Sequence, residues 1–170
     1  MRLKSIFFFL LILVTLVSCK EPEARRPKKH GTTNFYKEVI EKNKKLNAFE
    51  KKYLEKRIAL DTLTKYHTST QGFWYTYIAK DTLGAFQPKF EDLVLVAYDI
   101  TDINGNMLYE KQERTYKIDK EDFIPALQDG IKLMKKGETV TFVIPSYRAF
   151  GVTGDGNKIG VNQPIKSTVT

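Results

Sequence analysis

Residues 134–162 read MKKGETVTFVIPSYRAFGVTGDGNKIGVN, and the fold turns on this stretch. Met134 closes an amphipathic run, Gly137-Glu138 makes a helix end and strand entry, and residues 139–144 (TVTFVI) read as a buried strand. A loop rich in glycine follows and leads to Ser167 and Thr170.

Working upstream, residues 121–134 (EDFIPALQDGIKLM) are amphipathic, and Pro125 is tolerable in the first turn of a helix. From Gly72 the period is two: Phe73, Tyr75 and Tyr77 face one side, Trp74, Thr76 and Ile78 the other. Residues 92–98 (DLVLVAY) predict another strand, Asn104-Gly105 a turn before residues 107–110, and residues 115–118 a short strand. Antiparallel strands with one helix between them predict an α+β domain, its sheet wrapped against that helix. No internal repeat is visible.

The N-terminus reads as an address. Residues 1–4 are short and basic, and residues 6–17 (IFFFLLILVTLV) are apolar but fewer than the roughly 20 needed for a spanning helix. The pattern predicts a bacterial export signal over residues 1–18. Leu16-Val17-Ser18-Cys19 resembles a lipoprotein lipobox, and Cys19 is the only cysteine of the 170-residue chain. The expectation is a mature chain lipidated at Cys19 and tethered outside the cytoplasm, in the periplasm or at the outer membrane. A single cysteine excludes an internal disulfide and any multi-thiolate zinc site, and no metal site is expected.

The +8 formal charge is uneven: residues 20–60 carry thirteen basic and six acidic groups, residues 61–170 thirteen and fourteen. The body is therefore nearly neutral, and no nucleic-acid partner is expected. Residues 20–33 (KEPEARRPKKHGTT) lack the apolar side chains of a core, so residues 19–33 read as a lipidated cysteine and flexible basic tether. Phe35, Val39 and Ile40, then Leu46, Phe49, Tyr53, Leu54 and Ile58, recur at helical spacing. Asn47-Ala48-Phe49-Glu50 looks like a capping box. One broken helix or a short helical hairpin is predicted over residues 34–60, its stripe packing on its own domain or on a homodimer or other partner. His30 and His67 read as isolated surface residues.

Residues 72–170 resemble the FKBP-type peptidyl-prolyl cis/trans isomerases. Met134-Lys135-Lys136-Gly137-Glu138, Ile144-Pro145-Ser146, Ala149-Phe150-Gly151, and Ile159 with Asn162 match the family's M-x-x-G-E, I-P-S, A-Y-G and I-P-x-N elements in order and spacing. Residues 88–94 resemble its P-x-x-G-D-x-V entry, with Glu91 replacing the glycine. The lipobox, basic arm and N-terminal helical region resemble the gliding-motility-associated lipoprotein isomerases of bacteria, which extends the partner expectation for residues 34–60 to a motility machine.

The resemblance implies an FKBP-like antiparallel sheet around one short helix and an N-terminal helical extension. It implies rotation of Xaa-Pro bonds in exported, proline-containing polypeptides, without a cofactor, in support of protein folding. The family's catalytic positions fall on Tyr98, Phe123, Ile124 and Phe150, and its substrate-binding positions on Leu108, Tyr109, Leu127 and Ile159, with Tyr116 a further wall candidate. The isoleucine backbone N–H receives the substrate carbonyl. Three of the site positions depart from the pattern: Tyr109 stands where an aspartate is usual, Leu127 where a tryptophan forms the floor, and Phe150 where a tyrosine carries a hydroxyl; outside them Ile100 takes the place of a glycine and Gly160 that of a proline. These departures leave open a proline-binding chaperone that does not turn substrate over, and the apolar stripe of Phe35, Val39, Phe49 and Tyr53 a structural lipoprotein subunit of a motility or secretion machine. The family's last strand continues past the position of Thr170, so a truncated C-terminus is also an expectation.

Overall fold

The computed structural model describes residues 32–81 and 86–170. The export signal, Cys19, His30 and the basic tether as far as residue 31 lie outside the described residues, while Thr32 and Thr33, read from the sequence as the end of the tether, instead open the first helix. Two compact units divide the chain, Met1–Glu38 and Val39–Thr170. The described part of the first is helical throughout.

The elements run α1 (Thr32–Leu60), β1 (His67–Thr68), β2 (Trp74–Ala79), β3 (Leu93–Asp102), β4 (Met107–Lys117), α2 (Pro125–Ile131), β5 (Thr139–Ile144), a 3-10 turn (Ser146–Arg148) and β6 (Ile165–Val169). Six strands form one sheet in the order β1-β2-β5-β6-β3-β4, every neighbouring pair antiparallel. The expected α+β fold is present. Among the described residues no helix is long and apolar enough to cross a membrane.

Burial on both faces of β2 explains its sequence. Phe73, just before it, packs with Phe142 of β5 at a ring separation of 5.8 Å, inside the main core with Leu127 and Ile131 of α2. Trp74 faces the opposite way and packs with Val143 and with Leu54 of α1. Gly130 lets α2 approach the sheet, because a Cβ there would lie 2.5 Å from the Phe142 ring.

Four local expectations are corrected. Residues 34–60 form neither a broken helix nor a hairpin but part of one continuous 29-residue helix. Glu50 does not close a capping box at Asn47; its carboxylate accepts the Ser146 N–H and hydroxyl, each at 2.6 Å. The amphipathic run 121–134 is helical only over Pro125–Ile131, since the residue before a proline is driven to extended backbone and Ile124 sits at φ −58°, ψ 122°. The pieces 107–110 and 115–118 belong to one strand, β4. His67 is exposed, as expected, with its ring stacked 5.3 Å from Tyr75.

Candidate active site

A cavity of about 440 Å³ opens between β3, β4, the start of α2 and the loops after β5. Sheet register places its walls. Between Tyr98 and Ile100 the β3–β4 pairing slips by one residue, from Tyr98↔Gln112 to Ile100↔Tyr109. Without that slip Glu110 would lie opposite Ile100, so the irregularity is what brings Tyr109 to the site. Asp99, between the two, is held from β6: Ser167 donates to its carbonyl at 2.6 Å and the Thr168 N–H to its carboxylate at 3.0 Å.

Phe123 forms the centre of the wall. Its ring lies 5.0 Å from Tyr98 in an edge-to-face arrangement and 5.5 Å from the fully buried Tyr116. Phe123 is fixed from behind by Gln128, which donates to its carbonyl at 2.9 Å. Ile124 follows as the residue capping α2, its carbonyl accepting the N–H groups of Leu127 and Gln128. Among the described residues no group accepts the Ile124 N–H itself.

Phe150 comes to the opposite wall from the turn after β5. The Gly151 N–H returns to the Ser146 carbonyl at 2.8 Å, closing that turn. Arg148 ties it to α2 through Asp129 and through the Pro125 carbonyl at 3.4 Å. On the third side the Tyr109 hydroxyl donates to the Asp155 carboxylate, whose other oxygen accepts the N–H groups of Asn157 and Ile159, each at 2.8 Å. Burial pushes the Asp155 carboxyl up, but the Tyr109 hydroxyl and these N–H groups outweigh it and hold the group below the ordinary carboxylate range. Donation to Asp155, with some burial, raises the Tyr109 phenol. Gly154 precedes Asp155 at φ +67°, where a Cβ would collide with the Ile159 carbonyl, so the loop needs glycine there.

Of the eight residues read from the sequence, Tyr98, Tyr109, Phe123, Ile124 and Phe150 line the cavity. Leu127 and Ile159 are buried in the core and Leu108 packs at its edge, so none of the three lines it. The cavity also contains Gln112, Arg114, Asp122 and Asp155, which the sequence reading did not single out. Alternation along β4 was the available signal for two of them, since Gln112, Arg114 and Tyr116 share a face. Among the described residues no group of three or more His, Cys, Asp or Glu side chains is placed to hold a metal ion.

Residues 84–170 match the family described as FKBP-type peptidyl-prolyl cis-trans isomerase. The chain belongs to that family. It is 32% identical over 102 residues to the probable FKBP-type peptidyl-prolyl cis-trans isomerase FkpA of Neisseria meningitidis serogroup B, a match covering 58% of this chain and 36% of that protein. The crystal structure of FkpA from Escherichia coli superposes with a TM-score of 0.58 at 26% identity, covering 78% of this chain and 61% of that one. A peptidyl-prolyl cis-trans isomerase from Pseudomonas syringae has the same fold, with a TM-score of 0.58 at 20% identity over 72% of this chain and 90% of its own. The chain thus spans only about a third of the curated relative's length.

Proposed function

We propose that this chain is a peptidyl-prolyl cis/trans isomerase acting on Xaa-Pro bonds of exported polypeptides, held by lipid at Cys19 on the outer side of a bacterial membrane. The observation that carries the reading is the Ile124 N–H, unpaired among the described residues, beside an aromatic cup of Tyr98, Phe123 and Phe150. Amide resonance sets a rotation barrier of ~18–20 kcal/mol. A proline ring seated against these rings takes its flanking amide out of water, where the charge-separated planar form is less well solvated. The Ile124 N–H then holds one carbonyl while the bond turns, so the site favours the twisted amide over either planar isomer. No covalent step is needed.

The test is magnetisation exchange between cis and trans forms of short Xaa-Pro peptides, which reads turnover directly. Catalysed exchange by the wild-type chain, reduced in Phe150→Ala, supports the reading. No exchange at micromolar protein overturns it. Because Phe150 has no hydroxyl to orient substrate, a second reading is a proline-binding chaperone. Suppressed aggregation of an unfolded protein without exchange would favour it.

The lipobox residues 16–19 support the anchor. Cys19→Ser should release the protein from membranes and abolish acyl labelling. On α1 the exposed Leu46, Phe49 and Tyr53 support a partner surface, for a second copy or a motility component. Resemblance to gliding-motility lipoproteins directs that test to surface spreading of a deletion strain.

A further inference from the structure

Arg114 stands where β4 presents its inner face. Its register partner on β3 is Val96, a buried core residue, and its neighbour two positions on is the fully buried Tyr116. A cation at that position is out of keeping with an apolar wall. The structure accommodates it by laying the guanidinium over the Phe123 ring, 4.9 Å from its centre, and by one hydrogen bond of 2.7 Å to the Asp122 carbonyl. Arg114 lines the proposed proline cavity.

Among the described residues the ion pair this cation makes is a loose one. Glu121 approaches only to 3.9 Å, with both side chains more than a third exposed, and such pairs contribute little. Asp122 is itself exposed and offers Arg114 its backbone carbonyl. Asp155 keeps its negative charge, but both its oxygens already accept hydrogen bonds, from Tyr109, Asn157 and Ile159, and Arg114 is not among their partners. Lys158 lies over the Tyr109 ring, whose hydroxyl binds the Asp155 carboxylate. A guanidinium has five donors in a planar fork suited to a carboxylate.

Resting on the isomerase reading above, we infer that Arg114 is a specificity residue and that the site prefers prolines flanked by an acidic residue. The carboxylate of an Asp or Glu next to the proline meets the outward edge of the guanidinium while the ring occupies the cup. A lysine at the same place is repelled. The preference falls with rising salt, because the pair forms at a water-filled rim.

The experiment uses tetrapeptides alike except for Glu, Gln or Lys beside the proline, in one series before it and in another after it. The readout is the ratio of catalysed exchange rates for Glu and Lys peptides within each protein, which does not depend on how much of a variant is folded. Wild type should favour Glu over Lys by about threefold or more in at least one series, the scale of a partly exposed ion pair. Arg114→Gln should bring the ratio close to one, and Arg114→Glu should invert it. Equal rates in wild type, or the same ratio in all three proteins, overturn the inference. Should no peptide be turned over, the isomerase reading fails instead. The same ranking is then read from peptide affinities by chemical-shift titration, and equal affinities reject the role of Arg114.

Discussion

The Glu50 carboxylate of α1 grips both the backbone N–H and the hydroxyl of Ser146, at 2.6 Å each, across 96 residues of chain. Ser146 is buried and begins the turn that delivers Phe150 to the cup. The helix is thereby joined to the wall of the candidate active site by two charge-assisted hydrogen bonds. Glu50→Ala leaves two buried donors unpaired and should lower stability by about 1–3 kcal/mol. Ser146→Ala removes only the hydroxyl and should cost less. Urea unfolding of the two variants ranks them, and equal losses would argue against the paired arrangement.

Ile124→Pro tests the backbone donor. At φ −58° the position's own backbone angle already suits a proline ring, and the substitution deletes the N–H. Turnover should fall about tenfold, the worth of one hydrogen bond of roughly 1.4 kcal/mol. Ile124→Val keeps the donor and should retain most of the rate. Exchange rates for both, set beside their melting curves, separate loss of the donor from loss of fold.

The clamp between Tyr109 and Asp155 predicts a pH dependence. The Asp155 carboxyl is held below its value in an unfolded chain, so its stabilisation is fully present above that unfolded value, near 4, and is lost as pH falls through the lower folded one. The Tyr109 phenol is held above its ordinary value, so its share is present at neutral pH and lost only when strong alkali ionises the folded group. Amide hydrogen exchange of Asn157 and Ile159 should therefore stay slow across neutral pH and quicken in acid, after correction for intrinsic rates. Asp155→Asn should abolish the acid transition of this loop.

Glu91 occupies left-handed backbone, at φ 68°, where the family pattern has glycine. An L side chain there costs on the order of 1 kcal/mol. Its ion pair with Lys120, at 2.9 Å, is half exposed and recovers little of that. Glu91→Gly should stabilise the protein by about 0.5–1 kcal/mol in thermal unfolding. Gly130→Ala should do the reverse by roughly 1–3 kcal/mol, because the added methyl meets the buried Phe142 ring.

What the sequence made legible was set by local pattern. The period of two over residues 73–78 and the apolar run 139–144 became β2 and β5 because both lie where side chains must alternate or bury. The local pattern breaks β4 into two fragments because residues 111–114 (KQER) carry no apolar side chain. Only pairing with β3 makes them a strand. Asn47 and Glu50 have capping-box spacing, yet Glu50 was recruited by a residue distant in sequence, a choice no local rule contains. Of the site, the aromatic cup was visible through family register. Asp155 and Arg114 were not, since one depends on loop closure and the other on which face of β4 is turned inward.

The position of β6 in the sheet bears on how the protein is made. β1, β2 and β5 form one ribbon and β3 and β4 another, and the two meet only through β6, which is later in the chain than all of them. Two separate hydrophobic ribbons therefore await residues 165–169 before they become a single sheet. During synthesis the domain cannot close until those residues have emerged, so its core stays open to whatever machinery handles the nascent chain.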